Sequence, residues 1–486
     1  MEFKFSSDFL SKTTQRRAAG LVVAVAVIAF FALCPPFQGL AESLAKRENG
    51  NPEAAMASIG IFLGAIVLFV AQVAPLAVSC LTLMVLLPYF EITALGNVWA
   101  DFGGTSFFFV LFCFGITGAL SRTTLPMRVS ATITRMSRGN PKMIVYGFGF
   151  AACIFSGFLS NFGTLIMFYS IILAFLKACD LKPGESRLGK CLMIVLPAAA
   201  GTGGFISPAG SPGNLIAQSI LLQQGIDLKF LHWFLIATPF SLLIIFFLCF
   251  CLCALFKPEP LPEEAERMIM EKHAEAGPMS VKEKIACTVI AITISLWFSS
   301  TWFPALNTTV VAACAFFVMF MPGVDLMNWK AYVQEADWNL LLMVGSVAVT
   351  MGCVNTTGAM GWIMNSLFSH IDKLSVFSLF LIVGLIIAAL RVTIPTAPSV
   401  AAIFAPVLVG IATVTGGNMT ALVLLPVFWS GATMLLVFTE PIFLYTYSAG
   451  YYRAGDLFRA GIIPTLLMVV IMAALFPACV SFFGYR

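Results

Sequence analysis

The sequence is poor in charge. Only 10% of its 486 residues are Asp, Glu, Lys or Arg, and there are three histidines, whereas a soluble domain carries roughly 25% charged residues. That scarcity argues against a soluble body, and no nucleic-acid partner is expected. His232, His273 and His370 lie at segment ends or in a linker, which excludes a His proton relay or a His-based metal site. The 13 cysteines sit mostly inside apolar runs, as Cys249, Cys251 and Cys253 do. None has zinc-site spacing, so they read as small hydrophobes. No Ser/His/Asp or Cys/His set and no phosphate-cradling loop falls at membrane depth. The chain is therefore not expected to be an enzyme, to use a cofactor, or to be an ATP-driven pump.

Apolar residues make up 60% of the chain, and runs long enough to cross a bilayer recur throughout. The fold class this predicts is an all-α polytopic membrane protein with about 11 transmembrane helices. Lys4, Lys12, Arg16 and Arg17 precede the first apolar run, which places a first membrane helix at about 18–38 with a cytoplasmic N-terminus. The expected location is a bacterial-type inner membrane. The net charge of +4 adds little, because the distribution of Lys and Arg decides topology.

Two basic loops, Arg122 to Lys142 and Lys177 to Lys190, flank one apolar stretch at about 143–177 that is interrupted at Ser160-Asn161. A single span would put its ends on opposite sides. Two half-helices meeting at that interruption instead form a re-entrant hairpin, tolerated where protein or a water-filled cavity covers the tip. The next span, about 189–223, is broken at Gly210-Ser211-Pro212-Gly213-Asn214, where prolines and glycines cannot continue a helix.

About 230 residues later the interruptions recur, at Thr396-Ala397-Pro398 and Thr439-Glu440-Pro441. Segments near 285–304, 307–322 and 338–357 repeat those near 57–73, 75–92 and 104–121. The charge pattern gives the halves opposite orientation, the inverted-repeat design of secondary transporters with a midplane site. The expected division is 1–54 (first helix and outer loop), 55–256 (first repeat), 257–284 (charged linker) and 285–486 (second repeat).

At the first tip, Ser156, Ser160 and Asn161 offer hard oxygen donors suited to sodium, with the Gly210 carbonyl beside them. The half-helix that starts after the tip favours an anion at its N-terminus. A kinked helix whose Ser and Asn satisfy neighbours is the plain alternative. Ser160-Asn161-Phe162 and Gly210 to Asn214, with Trp233 to Pro239 and Tyr447 to Leu457, resemble the divalent anion/sodium symporter family of the ion transporter superfamily. That family carries Ser-Asn-Thr at two opposed hairpin tips and a Gly-Thr-Pro-Pro-Asn-like break in two further helices. The resemblance covers the chain from about residue 55 to the end. It implies a small dicarboxylate or tricarboxylate gripped between the tips, elevator-like movement and a homodimer in the lipid bilayer. It places substrate against Ser160, Asn161, Ser211, Pro212, Asn214, Thr396 and Thr439, and sodium against Ser156, Ser160, Asn161 and Gly210.

The second half departs from the pattern. Its tip lacks the Asn, and its break reads Thr439-Glu440-Pro441-Ile442-Phe443 without the terminal Asn. Arg391 and Glu440 are charges in apolar surroundings, and such charges usually pair or work. Four readings stand: Arg391 replaces the second sodium with Glu440 as partner, Arg391 binds a substrate carboxylate, Glu440 exchanges protons, or the two form a structural ion pair. The leading function is sodium-coupled transport of small organic anions. The alternatives are sodium-independent exchange, proton coupling through Arg391 and Glu440, or a passive anion channel.

Overall fold

In the computed structural model the described residues are 7–44, 51–71, 73–123, 125–260, 278–303, 305–359, 362, 374–391, 397–437 and 440–485. Among them all regular structure is helical. In chain order the helices are α1 (Ser7–Leu33), α2 (Gln38–Leu44), α3 (Pro52–Ala71), α4 (Leu76–Tyr89), α5 (Leu95–Phe102), α6 (Thr105–Ser121) and α7 (Leu125–Ser137). Next come α8 (Pro141–Ser156), α9 (Asn161–Ala178), α10 (Arg187–Gly203), α11 (Pro212–Gln223) and α12 (Phe230–Phe256). The remainder are α13 (Val281–Ser299), α14 (Thr308–Met319), α15 (Trp329–Glu335), α16 (Trp338–Thr356), α17 (Val376–Leu390), α18 (Ala397–Thr415), α19 (Met419–Ala432), α20 (Pro441–Tyr447) and α21 (Ala454–Phe482).

Caps explain where many of these helices begin. The Asn140 side chain accepts from the Lys142 amide with Pro141 in the first turn of α8, and Ser160 and Ser186 cap α9 and α10 in the same way. Ser280 and Glu283 form a capping box at the start of α13, and Asn307, Asn328, Ser375 and Asn418 cap α14, α15, α17 and α19. The segment Arg122 to Lys142, read above as a loop, contains the helix α7. Its buried Ala131 and Thr134 and half-buried Val129 and Ile133 face the bundle, and Arg128 reaches Glu283 of α13 at 3.4 Å. An apolar stripe on a basic segment is sufficient to fold it against neighbours.

Six helical stretches among the described residues are long and apolar enough to cross a membrane, with α1 and α2 a bent pair at 61°. Shorter apolar helices make up the arms and half-helices that the sequence breaks define. This is a multi-pass membrane protein.

The helices sort by packing into two groups. In one, α1 lies on α3, α3 on α4, α4 on α16, and α6 on α14 and α16. In the other, α10 and α19 form the centre. Helices α8, α9 and α12 pack on α10, while α17, α18 and α21 pack on α19. Phe148 on α8 contacts both Phe168 and Phe175 on α9 at ring distances of 6.4 and 6.2 Å, which sets these two arms side by side as a hairpin. Helices α10 and α19 cross at Gly201 and Gly431. A Cβ built on Gly431 would lie 2.1 Å from the Gly201 carbonyl oxygen, so glycine is what permits this approach. The charged linker begins by capping α10: Glu259 accepts from the Ser186 hydroxyl at 2.6 Å and from the amides of Arg187 and Leu188 at 3.0 and 3.1 Å.

Candidate functional site

The first hairpin tip, Gly157 to Ser160, rests against the break in α10. Beyond Gly203 the helix tightens into a 3-10 turn over Gly204–Ile206, and a second turn, closed by the Gly210 amide on Ser207 O at 3.1 Å, leads to Ser211 before α11 begins at Pro212. Side chains hold the break open. Asn214 donates to the carbonyls of Gly204 and Ser207 at 2.6 Å each, the Ser207 hydroxyl donates to Gly157 O, and the Trp233 indole donates to Phe205 O at 2.8 Å. Carbonyls that lose their helical partners are thereby largely satisfied by named donors.

At the centre lies an oxygen cluster. The Ser156 hydroxyl, fully buried, donates to Ala200 O at 2.5 Å. One end of the Asn161 amide lies 3.2 Å from that hydroxyl oxygen, 3.2 Å from Ala200 O and 2.9 Å from Gly210 O. With its nitrogen at that end the amide donates to all three. With its carbonyl oxygen there, four oxygens from four residues face one another, the arrangement a hard cation fills. Gly204 and Gly210 keep the space open. A Cβ on Gly204 would lie 2.0 Å from Asn161 Oδ1, and one on Gly210 would lie 2.5 Å from Gly204 O.

The residues expected in this half separate into distinct environments. Ser156, Asn161 and Gly210 meet in the cluster. Ser160 is occupied as the cap of α9, accepting from the Gly163 amide at 3.1 Å. Asn214 is fully buried as the brace of the break, although its Oδ1 has no partner among the described residues. Ser211 caps nothing, and its buried hydroxyl is likewise without a partner there. Pro212 is half-buried in the first turn of α11. Phe162, at the start of α9, is half exposed and edge-on to Tyr445 of α20 at 6.2 Å; Tyr445 in turn meets Tyr169 at 4.7 Å.

In the second half, Thr396 and Thr439 lie outside the described residues. Arg391 follows α17 directly and has a fully buried side chain. Its Nε and Nη2 donate to Ser430 O at 3.0 and 2.7 Å, and Nη2 lies 2.6 Å from Glu440 Oε1. Glu440 precedes α20 and is also buried. Nothing in the sequence marks Ser430 O as a partner of Arg391. The small-residue run Ala198-Ala199-Ala200-Gly201 is the one signal that marks Ala200 O as approachable.

A family model described as the sodium:sulfate symporter transmembrane region matches residues 15–480. The chain belongs to the divalent anion/sodium symporter family. A sodium-dependent high-affinity dicarboxylate transporter of Caenorhabditis elegans is 24% identical over 452 residues, 83% of this chain and 80% of the relative. The sodium-dependent dicarboxylate transporter SdcS of Staphylococcus aureus (strain USA300) is 23% identical over 339 residues. That match spans 64% of this chain and 65% of the staphylococcal protein. The YdaH transporter of Alcanivorax borkumensis shares the fold, with a TM-score of 0.52 at 14% identity over 79% of this chain and 87% of that one. Like its family, this symporter homologue is a membrane transporter and not an enzyme.

Proposed function

We propose that this chain is a secondary active transporter of small organic dianions of the dicarboxylate class, coupled to sodium through the first-half oxygen cluster. The observation that carries the reading is the meeting of Asn161, Ser156 Oγ, Ala200 O and Gly210 O at 2.5 to 3.2 Å. Without a cation, the Asn161 nitrogen satisfies the three oxygens. When sodium arrives, the amide turns over, its oxygen becomes a ligand, and Ser156 turns its proton away. The same site thus has a stable form with and without the ion. The dicarboxylate class and sodium as coupling ion are supported by what the two relatives are named for.

The anion binds beside the cation. Helices α9 and α11 both begin here, and their free amides favour negative charge. Ser211, buried and without a hydroxyl partner among the described residues, is the donor at the entry to α11. By the family pattern, Thr396 and Thr439 are the substrate-binding residues of the second half. The halves are inverted repeats with two re-entrant tips. The bundle around α10 and α19 moves as a body against the group around α3, α4, α6 and α16, within a homodimer whose N-termini are cytoplasmic.

The test is uptake of labelled succinate, sulfate, citrate and a monocarboxylate into proteoliposomes, with and without an inward sodium gradient. Concentrative, sodium-dependent uptake of succinate is expected. Downhill flux only would make the protein a channel, uptake driven by a proton gradient alone would remove sodium, and exchange without any ion gradient would make it an antiporter.

A further inference from the structure

The two halves treat one position in opposite ways. In the first, Ser156 at the end of α8 donates to Ala200 O, the residue before Gly201. In the second, Arg391, directly after α17, donates twice to the carbonyl of Ser430, the residue before Gly431. Gly201 and Gly431 are the glycines at which α10 and α19 cross. Ser430 O therefore corresponds to Ala200 O, and Arg391 to Ser156. The two breaks also end alike, although the second is one residue shorter. Ser211 enters α11 with φ −147° and ψ 143°, Glu440 enters α20 with φ −144° and ψ 144°, and a proline follows each. The carbonyl that borders the oxygen cluster in the first half faces a guanidinium in the second.

We propose that the Arg391 guanidinium is a resident cation standing where a second transported sodium would otherwise sit, with the Glu440 carboxylate as its fixed counter-charge. The chain then couples one sodium fewer than a carrier whose two halves are both neutral. The proposal rests on the reading that the first-half cluster takes sodium. Arginine suits the position because it stays charged and its planar fork matches a carbonyl and a carboxylate together. A pair serving stability alone has no reason to occupy this register, since apolar residues of similar size serve a buried site as well.

The experiment uses the full chain in proteoliposomes, with radioactive sodium and labelled succinate measured together. About one sodium per succinate is expected, with a sodium dependence of Hill slope near one. A ratio of two or more overturns the proposal, because both positions would then take sodium. Succinate flux that needs no sodium would fell the first-half reading and leave Arg391 to be decided by variants. Arg391→Ala leaves the Glu440 carboxylate and Ser430 O beside an open space, so the Hill slope should rise by about one, whereas Arg391→Lys should keep the wild-type slope. An Arg391→Ala protein with unchanged uptake and slope overturns the proposal. So does loss of uptake at every sodium concentration in both variants when both elute as folded protein. Should Arg391→Ala fail to fold, the isotope ratio of the wild type decides.

Discussion

At the first break a serine leads the chain into α11, and the neighbouring carbonyl Ala200 O meets a hydroxyl and an amide. At the second, the backbone turns through nearly the same angles, but a glutamate leads into α20 and Ser430 O meets a guanidinium. Both breaks keep the proline that opens the next helix, Pro212 and Pro441, whereas the glycines and the Asn214 brace belong to the first alone. The ligands hang on side chains, which differ. On the proposed reading, the two breaks share a backbone course while neutral oxygen donors line the first and a paired charge lines the second.

The comparison breaks hardest where the charge is left alone. Glu440→Ala strands a buried guanidinium, and removing one partner of a buried pair costs about 3–5 kcal/mol. Thermal unfolding in detergent should fall steeply. Arg391→Met combined with Glu440→Leu should recover most of that loss, because an apolar pair is tolerated at such a site. Ser211→Ala at the matching first-half position should leave the unfolding temperature nearly unchanged. Equal losses in Glu440→Ala and Ser211→Ala would show that the pair does not set the two breaks apart.

The crossing of α10 and α19 gives the next effect. A Cβ on Gly431 meets Gly201 backbone at 2.1 Å, while a Cβ on Gly201 meets Gly431 O at 3.1 Å and Glu440 Oε2 at 3.2 Å. Gly431→Ala should cost about 1–3 kcal/mol through forced backbone movement, and Gly201→Ala less. Folded yield and unfolding temperature read the order directly. If Gly201→Ala were the more damaging, contact with Glu440 rather than the helix crossing would control this point.

These positions also mark what was legible in the sequence. The breaks were, because Pro208, Gly210 and Pro212 or Pro441 leave a helix no choice. The caps that start many helices, such as Ser186, Asn307 and Asn418, emerge only in the structure, although their chemistry is local. The basic stretch around Arg128 reads as a loop in the sequence, because its net charge masks the apolar stripe of α7. Both Arg391 and Glu440 stand out as charges in apolar surroundings, yet Ser430 O, the second acceptor of Arg391, does not. A backbone carbonyl carries no sequence signature, and it faces Arg391 only because α17 packs on α19, 39 residues further along the chain. The same reason hid Ala200 O and the role of Glu259 as a cap supplied from beyond α12.

On the neutral side of the comparison, Asn161→Ala removes one ligand of the proposed sodium cluster and leaves Arg391 with Glu440 untouched. The concentration of sodium giving half-maximal succinate uptake should rise by ~10-fold, the equivalent of about 1.4 kcal/mol. The unfolding temperature should move little, because the Asn161 nitrogen contributes only ordinary hydrogen bonds. An unchanged sodium requirement would detach the cluster from coupling.

The smallest effect concerns substrate choice. Phe162 follows Ser160-Asn161 where the family pattern has threonine, and its half-exposed ring meets Tyr445 from the far side of the second break. The ring removes a hydroxyl from the tip and adds an apolar wall beside the start of α9, so it should select against the most compact and most strongly hydrated anions. An edge-on aromatic pair contributes about 0.5–1.5 kcal/mol beyond its buried area, which bounds the change in preference at ~2- to 10-fold. Phe162→Thr should therefore shift the ratio of succinate to a bulkier dicarboxylate toward succinate, as read by competition against labelled succinate uptake. Phe162→Tyr, which keeps the ring, should retain the wild-type ratio. Because neither substitution touches the oxygen cluster or the Arg391 pair, the sodium slope should be the same in both. A changed slope in Phe162→Thr would mean that the tip sets ion coupling as well as substrate, and the division of labour between the two halves would have to be redrawn.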